Sequence, residues 1–408
     1  MRTLDDLNPL PYHLAIRDYL KNDEPEVWAW FAANRVRKEQ TDAVRFELLK
    51  STYRIERSSN TAWYEAAEQA ASALALDLPI TLYQAQEPVG LNASLAYVPG
   101  EAHIVLHGSV AATLTDLEFR AVLAHELGHL LLWQGWDGEF LVVDQLLSAL
   151  THDPRAETPH FASARLFALY TEIFCDRASL LATGDLLPTV AMLIKVSTGL
   201  KEVSAESYLQ QAEEVFSQGA AKAAEWTHPE AFIRARALRL WSEGDPVTDS
   251  KTGLMIEGCP ALESLDLVTQ KRAAVWTRRL IDAMLAWPWM QSEPVLNHVR
   301  RFFDDYAPPA TQDAEQQTDG SLAELLATDD AAMQDYYCFV LLDLVTVDRD
   351  LEQLPLAAAL VLTDRLGWKE RFMDHARREM RLRKSQLERI DQQKDELLAG
   401  TAQQNEAP

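Results

Sequence analysis

The chain has 408 residues, 48% of them apolar, and a formal net charge of -24. That length allows two or three domains, and the apolar share excludes global disorder. The acidic excess disfavours nucleic acid and anionic lipid as partners. Three widely spaced cysteines, Cys175, Cys259 and Cys338, fit neither a disulfide framework nor a Cys-based zinc site.

The first ten residues contain Asp5, Asp6 and Pro9 and lack the basic start and apolar run of a signal peptide. Residues 25–57 repeat apolar side chains at three- and four-residue steps and predict helix, as do residues 61–76. Residues 79–83 and 102–107 are short, β-rich and bounded by Pro and Gly, and predict strands. From Thr115 onward the pattern is helical almost throughout. Residues 186–196 are apolar but interrupted by Pro188 and Lys195, and are too short to span a bilayer. The expectation is a soluble, cytoplasmic protein with no membrane span. Pro308, Pro309 and Gly320 mark a linker over 307–321, followed by a helical module over 322–398 and a disordered tail over 399–408.

Chemistry concentrates in Ala121-Val122-Leu123-Ala124-His125-Glu126-Leu127-Gly128-His129, an H-E-x-x-H sequence. Thr115 and Glu118 form a capping box, so a helix starts there. His125 and His129 are then one turn apart on one face and can share a metal ion. Phe119, Leu123, Leu127 and Leu130 are expected as a buried stripe on the opposite face. Gly128 lies beside the ligand face, where it can admit a neighbouring helix. The metzincin spacing fails, because Leu132 and Gly135 stand where its later glycine and histidine belong. Glu139 and Glu157 sit in loop-like sequence. Glu172 is the better third ligand: it lies on an apolar-periodic run over 162–181 that stops before Gly184. Asp176 is one turn on, so one carboxylate can bind metal while the other orients an imidazole. Two imidazoles and a carboxylate suit one zinc ion per chain and leave a position open for water, with Glu126 placed to act as general base. His103 and His107, four apart on a strand, stand about 13 Å apart and cannot share an ion; both are expected as surface residues.

Together these pieces resemble the gluzincin family that includes HtpX and the CAAX prenyl protease. The resemblance rests on Asn92-Ala93 before a strand, the metal helix from Leu117 to His129, Glu172-Ile173-Phe174-Cys175-Asp176-Arg177, and Thr227-His228-Pro229 with Arg234 six residues after the histidine. It implies a zinc endopeptidase with Glu172 as ligand, His228 stabilising the oxyanion, and Arg234 paired with Asp176. Many relatives are membrane-embedded or exported, features this sequence lacks. Leu341-Leu342-Asp343 and Val347-Asp348-Arg349-Asp350-Leu351-Glu352 resemble TerB-like helical domains.

The resulting expectation is an α+β, mostly helical gluzincin metallopeptidase domain over 1–306, with N-terminal helices over 1–77 and a catalytic core over 78–306, then a small all-α domain. An edge strand beside the metal cleft, with Asn92 and Ala93 as substrate contacts, would let an extended polypeptide add by main-chain hydrogen bonds. The acidic second module is a candidate surface for a protein partner. The alternative is a catalytically silent zinc-binding scaffold or chaperone-like adaptor.

Overall fold

Capping residues and glycines set several of the helix ends. Pro11 opens the first helix, Thr115 caps the helix that carries His125 and His129, and Gly184, Gly199 and Gly244 stop three others in left-handed conformation. The structure is a computed structural model that describes residues 2–34, 38–86, 90–219, 221–225, 227–258, 262–308 and 331–404. It divides into two units, Met1–Cys259 with Asp266–Val268, and Pro260–Leu265 with Thr269–Pro408.

The first unit contains, in order, α1 Pro11–Asp23, α2 Pro25–Asn34, α3 Lys38–Ser51, β1 Thr52–Arg54, α4 Thr61–Ala73, β2 Ile80–Ala85, β3 Asn92–Val98, β4 Glu101–His107, the single turn α5 Val110–Thr113, α6 Asp116–Gln134, α7 Glu139–His152, α8 Thr158–Thr183, α9 Leu186–Thr198, α10 Ala205–Ser217, α11 Ala231–Glu243 and α12 Thr248–Glu257. The fold is thus mostly helical with one small sheet, of α+β type. The sheet is mixed, in the order β1-β2-β4-β3. β2 and β4 run parallel, while β1 and β3 are antiparallel to their neighbours. β3 is therefore an edge strand. The helical pattern over 25–57 conceals β1: Thr52-Tyr53-Arg54 pairs with Tyr83-Gln84-Ala85 and leaves the helix period after Ser51.

α6 differs from the one-sided stripe expected of it. Besides Phe119, Leu123, Leu127 and Leu130, the side chains of Ala121, Val122, Ala124 and Leu132 are buried as well. α4, α8, α9 and β3 surround α6, so it runs through the middle of the unit's core. The capping box forms: Thr115 Oγ1 accepts from the Glu118 N–H at 3.4 Å and Glu118 Oε2 accepts from the Thr115 N–H at 2.7 Å. Lys195 Nζ of α9 donates to the same oxygen at 2.8 Å and compensates that buried carboxylate.

The second unit holds α13 Leu267–Met284 from Thr269 on, α14 Glu293–Val299, α15 Ala331–Val347, α16 Leu354–Arg365, α17 Lys369–Glu379 and α18 Lys384–Gln404. Its core includes Leu280, Met284, Val295 and Tyr306 together with Tyr337, Leu360 and Phe372. The division at 260–268 thus precedes the expected domain end at 306, because residues 280–306 bury their apolar faces in the second core. Most of the expected linker, from residue 309 on, lies outside the described residues. So do residues 405–408 of the expected tail, whereas residues 399–404 continue α18. Among the described residues, no helix is long and apolar enough to cross a membrane.

Candidate metal centre

α6 and α8 approach closely because Gly128 carries no side chain. A Cβ there would lie 3.0 Å from Cys175 Cα and 3.2 Å from Cys175 Sγ. This contact sets the histidines of α6 against the carboxylates of α8. His125 Nε2 is 3.3 Å from Glu172 Oε2, and His129 Nε2 is 3.6 Å from Glu172 Oε1. The two imidazoles meet edge to face, with centroids 5.3 Å apart.

Behind the pair, Asp176 Oδ1 lies 3.1 Å from His125 Nδ1. Arg234 of α11 holds Asp176 in a two-pronged contact, Nε to Oδ2 at 2.7 Å and Nη2 to Oδ1 at 2.6 Å. Its Nη2 is also 3.4 Å from Glu172 Oε2. Arg177, the other nearby cation in sequence, turns away and pairs with Asp249 at 2.7 Å. His228, in the loop before α11, is largely exposed but brings Nε2 to 3.6 Å from Glu172 Oε1.

Burial and charge act on these groups together. Burial opposes a charge on His125, but Glu172 and Asp176 outweigh it and push its pKa up to about 10. For His129 burial prevails over Glu172 and lowers the pKa to about 4. Burial pushes Glu126 up to about 7, although the His125 charge and a backbone N–H bond from Leu95 act the other way. Glu172 and Asp176 are buried too, which opposes ionisation. His125 and Arg234 hold Glu172 well below the usual carboxylate range, and Arg234 does the same for Asp176.

His125, His129 and Cys175 place ligand atoms within 4.8 Å of one another, so a thiol competes with Glu172 for the third position. Burial, and then the surrounding carboxylates, hold the Cys175 thiol well above its ordinary pKa. Glu172, by contrast, is held toward its charged form by His125 and Arg234, whose nitrogens stand 3.3 Å and 3.4 Å from its buried Oε2. A buried carboxylate facing two imidazole nitrogens fits a cation. The donor set therefore suits a metal held by His125, His129 and Glu172. Glu139 and Glu157 are remote from it: Glu139 pairs with Arg17 and Lys21, and Glu157 precedes α8, about 22 Å of helix before Glu172.

These residues line one open cleft of about 1090 Å³. Asn92 and Ala93 line it as well, at the start of the edge strand. Because the Leu95 N–H reaches Glu126, alternation along β3 directs the backbone groups of Ala93 to the same free edge. No motif or spacing marks that Leu95 contact. Trp133 and Asp144 also line the cleft. Trp133 continues the four-residue spacing of His125 and His129 and could have been noted; Asp144 belongs to no motif. His103, expected at the surface, is buried between Tyr83 and Glu101, because β4 is an inner strand covered on that face. His107 is bonded to Ser94 Oγ at 2.9 Å.

Over 192 residues the chain is 30% identical to plastoglobule-localized metallopeptidase 48, chloroplastic, of Arabidopsis thaliana. The match covers 43% of this chain and 55% of that protein, so the chain spans little more than half the length of the relative it matches. The likeness is to a metallopeptidase-type family and goes no finer. No family model and no solved structure matches the chain.

Proposed function

We propose that the chain is a zinc-dependent endopeptidase of the gluzincin type, related to HtpX and the CAAX prenyl protease, acting on extended polypeptide. The observation that carries this reading is the buried Glu172 carboxyl, 3.3 Å and 3.6 Å from the Nε2 atoms of His125 and His129, with a second buried carboxyl, Glu126, lining the same cleft. The partial likeness to a metallopeptidase supports it.

His125, His129 and Glu172 would hold the ion, one per chain, and nitrogen and oxygen donors in this ratio suit zinc. A bound zinc supplies Lewis acidity, which makes water a nucleophile near neutral pH and polarises a scissile carbonyl. Glu126 takes the proton from the attacking water and delivers it to the leaving amine. A pKa of about 7 suits both halves of that transfer. Asp176 accepts the Nδ1–H of His125 and so leaves Nε2 free to face Glu172. Arg234 neutralises Asp176 and leans toward Glu172. His228, exposed at the cleft rim and close to Glu172, is placed to donate to the oxyanion. The free edge of β3 takes the substrate backbone as an added strand, with Asn92 and Ala93 at its entrance.

The test is digestion of an unfolded protein such as casein by the zinc-loaded chain. Cleavage that disappears in Glu126→Gln, with zinc retained, supports the reading. A chain that binds zinc and cleaves nothing would instead be the scaffold or adaptor.

A further inference from the structure

The cleft has an acidic wall that this chemistry leaves unused. Asp144 of α7 lines the same cavity as His125, Glu126 and His129. Among the described residues no hydrogen bond or ion pair joins its carboxylate. Burial alone pushes its pKa up to about 6, and no charged neighbour contributes. Two buried acids of this unit are paired with cations: Glu118 with Lys195, and Asp176 with Arg234. Asp144 is a partly buried carboxylate beside an open cavity, with no cation of the chain's own paired to it.

Trp133 supplies a second surface in that cavity. It lies one helical turn beyond His129, with ring centroids 5.7 Å apart, and Tyr97 packs edge-on against it at 5.5 Å. A held aromatic ring and an unpaired carboxylate in one cleft are the groups that recognise an ammonium or guanidinium. An acidic side chain would be repelled there, and an apolar one would leave the carboxylate uncompensated.

We propose that Asp144 and Trp133 form a subsite for a cationic group of the polypeptide, either a lysine or arginine side chain or the amino terminus. The identity of the ligand as substrate rests on the peptidase reading, but binding can be measured apart from turnover. The probe is a short unstructured peptide in three forms: N-acetylated with a central lysine, N-acetylated with alanine in its place, and the alanine form with a free amino terminus. Fluorescence anisotropy with the full chain carrying Glu126→Gln and loaded with zinc reads the affinity. The expected result is about 10-fold tighter binding of a cationic form than of the acetylated alanine form. Asp144→Asn should abolish that preference, Asp144→Glu should keep part of it, and Trp133→Leu should weaken it. A preference for the lysine form assigns the side chain; a preference for the free amine assigns the amino terminus. Equal binding of all three, binding of none, or a preference that survives Asp144→Asn overturns the subsite. If the preference is present but the wild-type chain never cleaves the preferred peptide, the peptidase reading fails and the subsite stands. Cleavage indifferent to peptide charge has the opposite meaning.

Discussion

His125 carries the sharpest electrostatic consequence at the level of single residues. With Glu172 and Asp176 against it, its pKa rises from 6.5 to about 10, so at pH 8 the metal-free chain holds a proton on it. Zinc must displace that proton. Titration calorimetry at pH 8 in two buffers of different ionisation enthalpy should show about one proton released per zinc, and none would contradict the assigned ligand. The same shift has a defined sign for stability. Charged His125 stabilises the metal-free fold fully below pH 6.5, and that contribution is lost as pH rises through about 10. The difference in melting temperature between wild type and His125→Ala should therefore shrink from pH 7 to pH 10. Removing Arg234 strands two buried carboxylates, so Arg234→Ala should weaken zinc affinity about 10- to 100-fold, as should Asp176→Ala. Competition with a chelator reads both. Cys175→Ala should keep zinc, whereas Glu172→Ala should not; the reverse pattern would move the third ligand to the thiol. His125, Glu126, His129 and Glu172 were legible because their spacing on two helices fixes what they face. Asp144 was not, since one acid in the helix α7 carries no local signal until the fold places it beside the cleft.

Helices were legible where caps punctuate them, as with Thr115 and Glu118 at the start of α6 and Gly184 at the end of α8. Strand β1 was not, because three residues continuing a helical period acquire their conformation from pairing with β2. The one-sided stripe expected of α6 also failed. Small residues such as Ala121 and Ala124 read as neutral in sequence, yet in the fold they face packed neighbours. The separation of α6 and α8 depends on Gly128. Gly128→Val would drive a branched side chain into Cys175 and push the histidines from Glu172. We expect a loss of about 1–3 kcal/mol and weakened zinc binding. Unchanged thermal unfolding and zinc content would show that the close approach is unimportant.

For the whole molecule, length indicated more than one domain and periodicity a mostly helical chain, with the linker-like stretch after Tyr306 expected as the boundary; the compact units divide instead at residues 260–268. Residues 280–306 share a core with residues 333–390, and sequence periodicity cannot say which core an amphipathic helix joins. A chain ending after Val268 should fold and bind zinc, while one ending at Tyr306 leaves Leu280, Met284 and Val295 without their partners and should aggregate. Size-exclusion chromatography with metal analysis distinguishes them. The eleven acidic residues, with no basic one, from Phe303 through Asp348 favour basic partners for the second unit. The central claim is that one protein-held metal and one carboxyl together hydrolyse peptide bonds. Its most direct test compares wild type with Glu126→Gln, each carrying about one zinc per chain, by mass mapping of the peptides released from an unfolded protein. The account predicts defined fragments from the wild type and none from the variant at equal zinc content. Equal cleavage by both, or cleavage by neither, would contradict it.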